Sequence, residues 1–153
     1  MKRIDWVLVA IAIVSLVGAL GLYRGKLNTA RLDGDVVGKE IPAGLVPVDT
    51  ELVAVIHPEC PYCVASTEAW NDLYDDGIKV VGVARGTEDE AAEFTQLSGA
   101  RFPIVRVPDS SWEQDLGFKG VPYTLVLAEQ GDIASAYMGW VKNPEAILGL
   151  LPR

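Results

Sequence analysis

Cys60 and Cys63 are the two cysteines of this 153-residue chain, three positions apart around Pro61 and Tyr62. Two thiols at that spacing can cycle between dithiol and disulfide, or they can supply half of a soft metal site. Their number excludes a multi-bridge disulfide scaffold and a complete four-cysteine zinc site. A bridge between them closes a loop too short to add much chain-entropy stabilisation, so a purely structural role explains the pair poorly. His57, the one histidine, lies three residues before Cys60 and is the residue that would complete a Cu(I) or zinc site. Its plainer reading is a strand-end residue that tunes Cys60.

The pair must be held by the elements on either side of it. Leu52-Val53-Ala54-Val55-Ile56 is an apolar run of the kind that forms a buried central strand. From Pro61 to about Asp76 the pattern predicts a helix, with Ala65, Ala69 and Leu73 on one face and Gly77 as its stop. The dithiol therefore opens a helix. Unpaired N–H groups and the positive dipole end gather there, which favours a thiolate at Cys60 as the attacking group. Cys63, one turn deeper, is the resolving thiol. Pro61 suits the first helical turn, where its missing N–H costs nothing. Glu59 beside Cys60 opposes the thiolate by like charge. Pro61, Tyr62, Glu59 and His57 are thus the residues expected to tune the pair.

Further along, Ile78–Ala84 reads as a second buried strand. Thr87 with Glu90 forms a capping box for a helix reaching about Ser98. Phe102–Val107 is an extended stretch and Ser110–Leu116 a short helical turn. Tyr123–Ala128 and Ile133–Met138 are strands around a turn at Glu129-Gln130-Gly131-Asp132. Pro144–Leu151 closes the chain as a helix, with Asn143 as its cap. The expected fold class is α/β, a central mixed sheet flanked by helices. Half the residues are apolar and about a fifth are charged, enough for a packed core. A formal charge of −8, with no Lys/Arg cluster in the body of the chain, excludes a nucleic-acid partner.

The amino terminus is different in kind. Trp6 to Tyr23 is an uncharged run of eighteen residues, which as a helix would span roughly 27 Å, close to a bilayer's hydrocarbon thickness. It reads as a transmembrane signal anchor, against a cleaved signal peptide or a buried core helix. Lys2 and Arg3 before it and Arg24, Lys26 and Arg31 after it pull the orientation in opposite directions. The division is an anchor over 1–24, a polar linker over 25–35 and one domain over 36–153.

Strand, Cys60-Pro61-Tyr62-Cys63, helix, strand, helix, then Gly120-Val121-Pro122-Tyr123-Thr124 before a β-hairpin resembles the thioredoxin superfamily. The strand–helix unit between dithiol and Val-Pro, and the stretch Gly117-Phe118-Lys119-Gly120-Val121-Pro122, are similar to its membrane-anchored TlpA/ResA/CcmG-type branch; MauD-like proteins fit the same pattern. The resemblance covers roughly residues 36–151. It implies a cis Val121–Pro122 bond in a loop facing the dithiol, with Val121, Pro122 and Tyr123 contacting substrate. It further implies a thiol–disulfide oxidoreductase on the extracytoplasmic, periplasmic side of the membrane. Such an enzyme acts on protein thiols with no cofactor beyond its own cysteines. Its electrons pass to or from a membrane donor or acceptor, and cytochrome c maturation is the branch's common role. The metal-binding or metallochaperone alternative uses Cys60, Cys63 and His57.

Departures from the family bear on the mechanism. Ala54 stands where thioredoxins carry a buried Asp, Ser66 where the anchored reductases often carry Glu, and Glu59 where a Trp is usual. The family's proton acceptor for Cys63 is therefore not carried over, and Glu68 is the substitute candidate. The tetrapeptide itself matches glutaredoxins, but little else in the chain does.

Overall fold

The computed structural model describes residues 31–151. The apolar run from Trp6 to Tyr23, and with it the expected transmembrane helix, lies outside the described residues. The elements in chain order are β1 (Arg31–Leu32), β2 (Leu52–Ile56), α1 (Pro61–Asp75), β3 (Val80–Arg85), α2 (Glu88–Ser98), β4 (Ile104–Val107), α3 (Ser111–Leu116), β5 (Tyr123–Leu127), β6 (Ile133–Met138) and α4 (Glu145–Leu148). One mixed sheet runs in the order β1-β6-β5-β2-β3-β4.

Side-chain alternation along β2 divides the interior in two. Leu52, Ala54 and Ile56 join one apolar cluster with Cys63, Trp70, Leu73, Phe94 and Ile147. Val53 and Val55 join the other with Val83, Trp112, Leu116, Tyr123 and Leu125. All five β2 residues are buried, as a continuous apolar run requires in the middle of a sheet. β2, β3 and β4 are parallel, so α1 and α2 serve as crossovers. Both crossovers step the same way across the sheet, which takes both helices to the same face. β5 returns antiparallel to β2, and β6 antiparallel to β5.

Local chemistry sets the ends of these elements. Thr87 and Glu90 form the reciprocal capping box at the start of α2. Gly82 in β3 leaves room for Phe102, since a Cβ there would come within 3.0 Å of that ring. Phe102 in turn meets Trp70 edge-on, with centroids 6.1 Å apart. The ambiguous stretch over Phe102–Val107 resolves into a strand parallel to β3.

Three details differ from the sequence reading. β1 lies inside the expected linker: Arg31 and Leu32 pair with Met138 and Tyr137, and a two-residue strand has no periodicity to betray it. α4 is shorter than expected and starts after Pro144, which stands at the cap with no side-chain hydrogen bond, and Gly149 follows its last turn. α1 turns Cys63, Ser66, Thr67, Ala69, Trp70 and Leu73 inward, leaving Ala65 exposed. Trp70 is the bulkiest of these, and burying it fixes which face points in.

Candidate active site

β2 ends at Ile56, and the turn His57-Pro58-Glu59 delivers Cys60 to the amino terminus of α1. The Cys60 N–H donates to His57 O at 3.0 Å. Cys60 is the N-cap residue, with extended backbone (φ −89°, ψ 109°), and Pro61 follows in the first turn. Its sulfur takes the capping role usually filled by an oxygen: the Cys63 N–H donates to Cys60 Sγ at 3.2 Å.

The two thiols differ sharply in environment. Cys60 is half-buried and Cys63 fully buried. Burial, and next the neighbouring Cys60 thiol, push the Cys63 thiol well above the ordinary range, against a smaller opposing pull from the His57 backbone. One thiol is reachable, and the other is shielded and holds its proton.

Val121 closes the site from the far side. The Val121–Pro122 bond is cis, as the resemblance implies. The Cys60 thiol donates to Val121 O at 3.9 Å, a long contact suited to sulfur. Pro122 and Tyr123 are buried, and the Tyr123 ring stacks on Phe118 at 4.3 Å. The Tyr123 side chain thus points into the core, and its backbone lies between Val55 and Met138 in the sheet. The Pro122 carbonyl accepts from Gly139 N–H at 2.9 Å.

Of the expected tuning residues, Glu59 and Pro61 are exposed and Tyr62 is about half exposed (52%). His57 is half-buried, and its Nδ1 accepts from Glu59 N–H at 3.3 Å. Glu68 is exposed on α1, and Ala54 is a fully buried core residue. Among the described residues no three or more His, Cys, Asp or Glu side chains are gathered as a metal site, so His57, Cys60 and Cys63 do not form one.

Sequence reasoning missed the residues that lock the start of α1. Ser66 Oγ donates to Tyr62 O at 2.8 Å and accepts from Val141 N–H at 3.0 Å. Thr67 Oγ1 donates to Cys63 O at 3.0 Å. Trp140 Nε1 donates to Ala65 O at 3.1 Å, and Trp70 Nε1 to Thr124 Oγ1 at 3.0 Å. A Ser-Thr pair within a helix is a signal in itself, because such hydroxyls bond back to carbonyls four residues earlier.

No family model and no curated protein matches the chain. Solved structures do. A candidate thiol:disulfide interchange protein DsbE from Chlorobium tepidum superposes with a TM-score of 0.63 at 19% identity, over 78% of this chain and 96% of its own. The fold is thioredoxin-like. A thioredoxin-related protein from Neisseria meningitidis serogroup B aligns with the same thioredoxin-like domain at a TM-score of 0.58 and 17% identity, over 78% of this chain and 95% of its own. StoA from Bacillus subtilis aligns at 0.56 and 19%, over 67% and 82%.

Proposed function

We propose that this thioredoxin-like domain is a thiol–disulfide oxidoreductase acting on protein thiols through Cys60 and Cys63. The observation that carries the reading is the asymmetry of the dithiol: a reachable sulfur at a helix amino terminus, backed by a buried thiol one turn deeper. In the reducing direction the Cys60 thiolate attacks a partner disulfide. One S–S bond breaks, a mixed disulfide forms, and one partner thiolate leaves. Cys63 then loses its proton and attacks Cys60 Sγ, releasing the second partner thiolate. Two electrons and two protons pass from dithiol to partner, and the enzyme ends as the Cys60–Cys63 disulfide. Run backwards, the same steps oxidise a dithiol.

The finer reading is a single-pass membrane protein with its redox domain on the periplasmic side. It would exchange electrons with a membrane donor or acceptor, as a reductant in the maturation of cytochrome c or another redox protein. The Trp6–Tyr23 run supports the anchor. The entry point of the chain is compatible with it. Arg31 pairs with Met138, which pairs with Tyr123 at the rim of the sheet where β2 delivers the dithiol. An anchor leading into that rim would hold the dithiol towards the bilayer.

The test is the reduction potential of the detergent-solubilised full chain, titrated against glutathione and dithiothreitol buffers. A reversible two-electron couple is the expected result. A potential well below about −220 mV marks a reductant, and one near about −120 mV an oxidant. A dithiol with no reversible couple would overturn the reading. Labelling of Cys60 in intact cells by a membrane-impermeant thiol reagent tests the location, and labelling only after lysis would refute it.

A further inference from the structure

The loop from Gly117 to Pro122, which carries Val121 to Cys60, is held at both ends and in the middle by one short segment of chain. That segment is residues 33–39, whose first three residues read from the sequence as the end of the linker. Lys39 Nζ donates to Leu116 O at 2.7 Å, at the start of the loop. Lys119 Nζ donates to Asp35 Oδ2 at 2.8 Å in the middle. At the far end the Tyr123 hydroxyl donates to Asp33 Oδ2 at 2.7 Å and accepts from Lys119 N–H at 3.2 Å.

Asp33 is the deepest member of this strap. It is only 8% exposed, unusual for a carboxylate, which is costly to bury unless paired. Its partners are fixed in turn: Asp33 N–H donates to Ala136 O at 2.8 Å, and Oδ1 accepts from Asp35 N–H at 3.1 Å. Lys119 Nζ stands 3.8 Å from Oδ1. The Tyr123 hydroxyl, foremost among these contacts, holds the carboxyl below its usual range despite burial. Tyr123 directly follows Pro122, so a short path runs from Asp33 through Tyr123 to the Val121 carbonyl beside Cys60.

We propose that Asp33 is a positioning residue for exchange with protein disulfides, holding the Val121 backbone, through Tyr123, where an extended substrate segment can lie against it beside Cys60. This rests on the oxidoreductase reading above. A protein disulfide must align its own backbone beside Cys60, whereas a small disulfide needs only to reach the sulfur. Loosening the loop should penalise the first far more than the second.

The experiment compares full-length wild type, Asp33→Asn, Tyr123→Phe and the double variant. Each is assayed in reduced form against insulin and against glutathione disulfide. In Asp33→Asn the ratio of the two second-order rate constants is expected to fall about tenfold, the loss typical of one charge-assisted hydrogen bond. Tyr123→Phe should give a similar fall, and the double variant little more, because both substitutions break one path. If Asp33→Asn does not fold, Tyr123→Phe removes only the hydroxyl and carries the same test. An unchanged ratio with a lowered Tm would overturn the proposal and leave Asp33 a purely structural residue. Wild type inert towards both disulfides would instead overturn the oxidoreductase reading, and this proposal with it.

Discussion

The two faces of the sheet are built by opposite means. On the α1 face, Trp70, Leu73, Phe94, Phe102 and Ile147 pack around the dithiol with almost no exposure. Ser66, Thr67 and the Trp70–Thr124 pair bond internally there. On the α3 face a six-residue helix and an N-terminal strap do the covering. There the contacts are charged: Asp33 to Tyr123, Lys119 to Asp35, Lys39 to a helix-end carbonyl, and Arg85 at 3.9 Å from the buried Glu113. The Cys60 and Cys63 sulfurs sit on the side governed by volume and dryness, and the loop that meets them is fastened from the side governed by charge. Substitutions should therefore act through cavities and desolvation on one face, and through protonation on the other.

The dry face makes an all-or-none prediction. Burial is the main reason Cys63 keeps its proton, so removing its neighbour should not release it. A reduced Cys60→Ser variant should show no thiolate absorbance step near 240 nm as pH rises through the ordinary thiol range. A step in that range would mean that water reaches Cys63, and the contrast between the faces would collapse.

The next test sets two tryptophans against each other. Trp70 is fully buried and its indole N–H satisfies the buried Thr124 hydroxyl. Trp70→Phe strands that hydroxyl and opens a cavity, at a cost of about 2–4 kcal/mol. Trp112 is nearly as buried, yet its Nε1 has no hydrogen-bond partner among the described residues. Trp112→Phe removes an unsatisfied donor and keeps a ring against Phe118, so its cost should stay within about 1 kcal/mol. Urea denaturation of both variants reads the difference. Equal losses would show that the α3 face is packed as tightly as the other.

How much of this was legible in the sequence follows the same division. Leu52–Ile56, the Thr87–Glu90 capping box and the hairpin around Gly131 are local patterns, and the structure forms all three. The dithiol at a helix start was legible for the same reason. What escaped depends on partners far away in the chain. Asp33 sits in a Gly- and Asp-containing stretch that reads as solvated, and its phenol partner is 90 residues on. Ser66 reads as a missing carboxylate, whereas in the fold it ties Tyr62 O to Val141 N, 75 residues later. A two-residue strand such as β1 carries no periodicity at all. Only tertiary contacts give these residues their roles, and composition points the wrong way for Asp33.

The smallest expected effect concerns the second buried carboxylate of the charged face. Burial raises the Glu113 carboxyl, and the nearby Arg85 and His57 only partly offset it. With its folded value above the unfolded one near 4.5, the native state binds this proton more tightly than the unfolded chain does. Stability from this group is thus fully present below the unfolded value and lost as pH rises through the folded one. Asp33 behaves oppositely: its folded value is lowered, so its contribution is present above about 3.8 and lost as acid protonates it. Glu113→Gln should therefore stabilise the domain at neutral pH by about 1 kcal/mol, the scale on which replacing a poorly compensated buried charge is often favourable. The gain should vanish below pH ~4, where glutamate is neutral in both states. Denaturation midpoints from acid to neutral pH measure it. A loss of stability at pH 7 would mean that the 3.9 Å contact with Arg85 outweighs the burial of the charge, and that even this face tolerates no unpaired arginine.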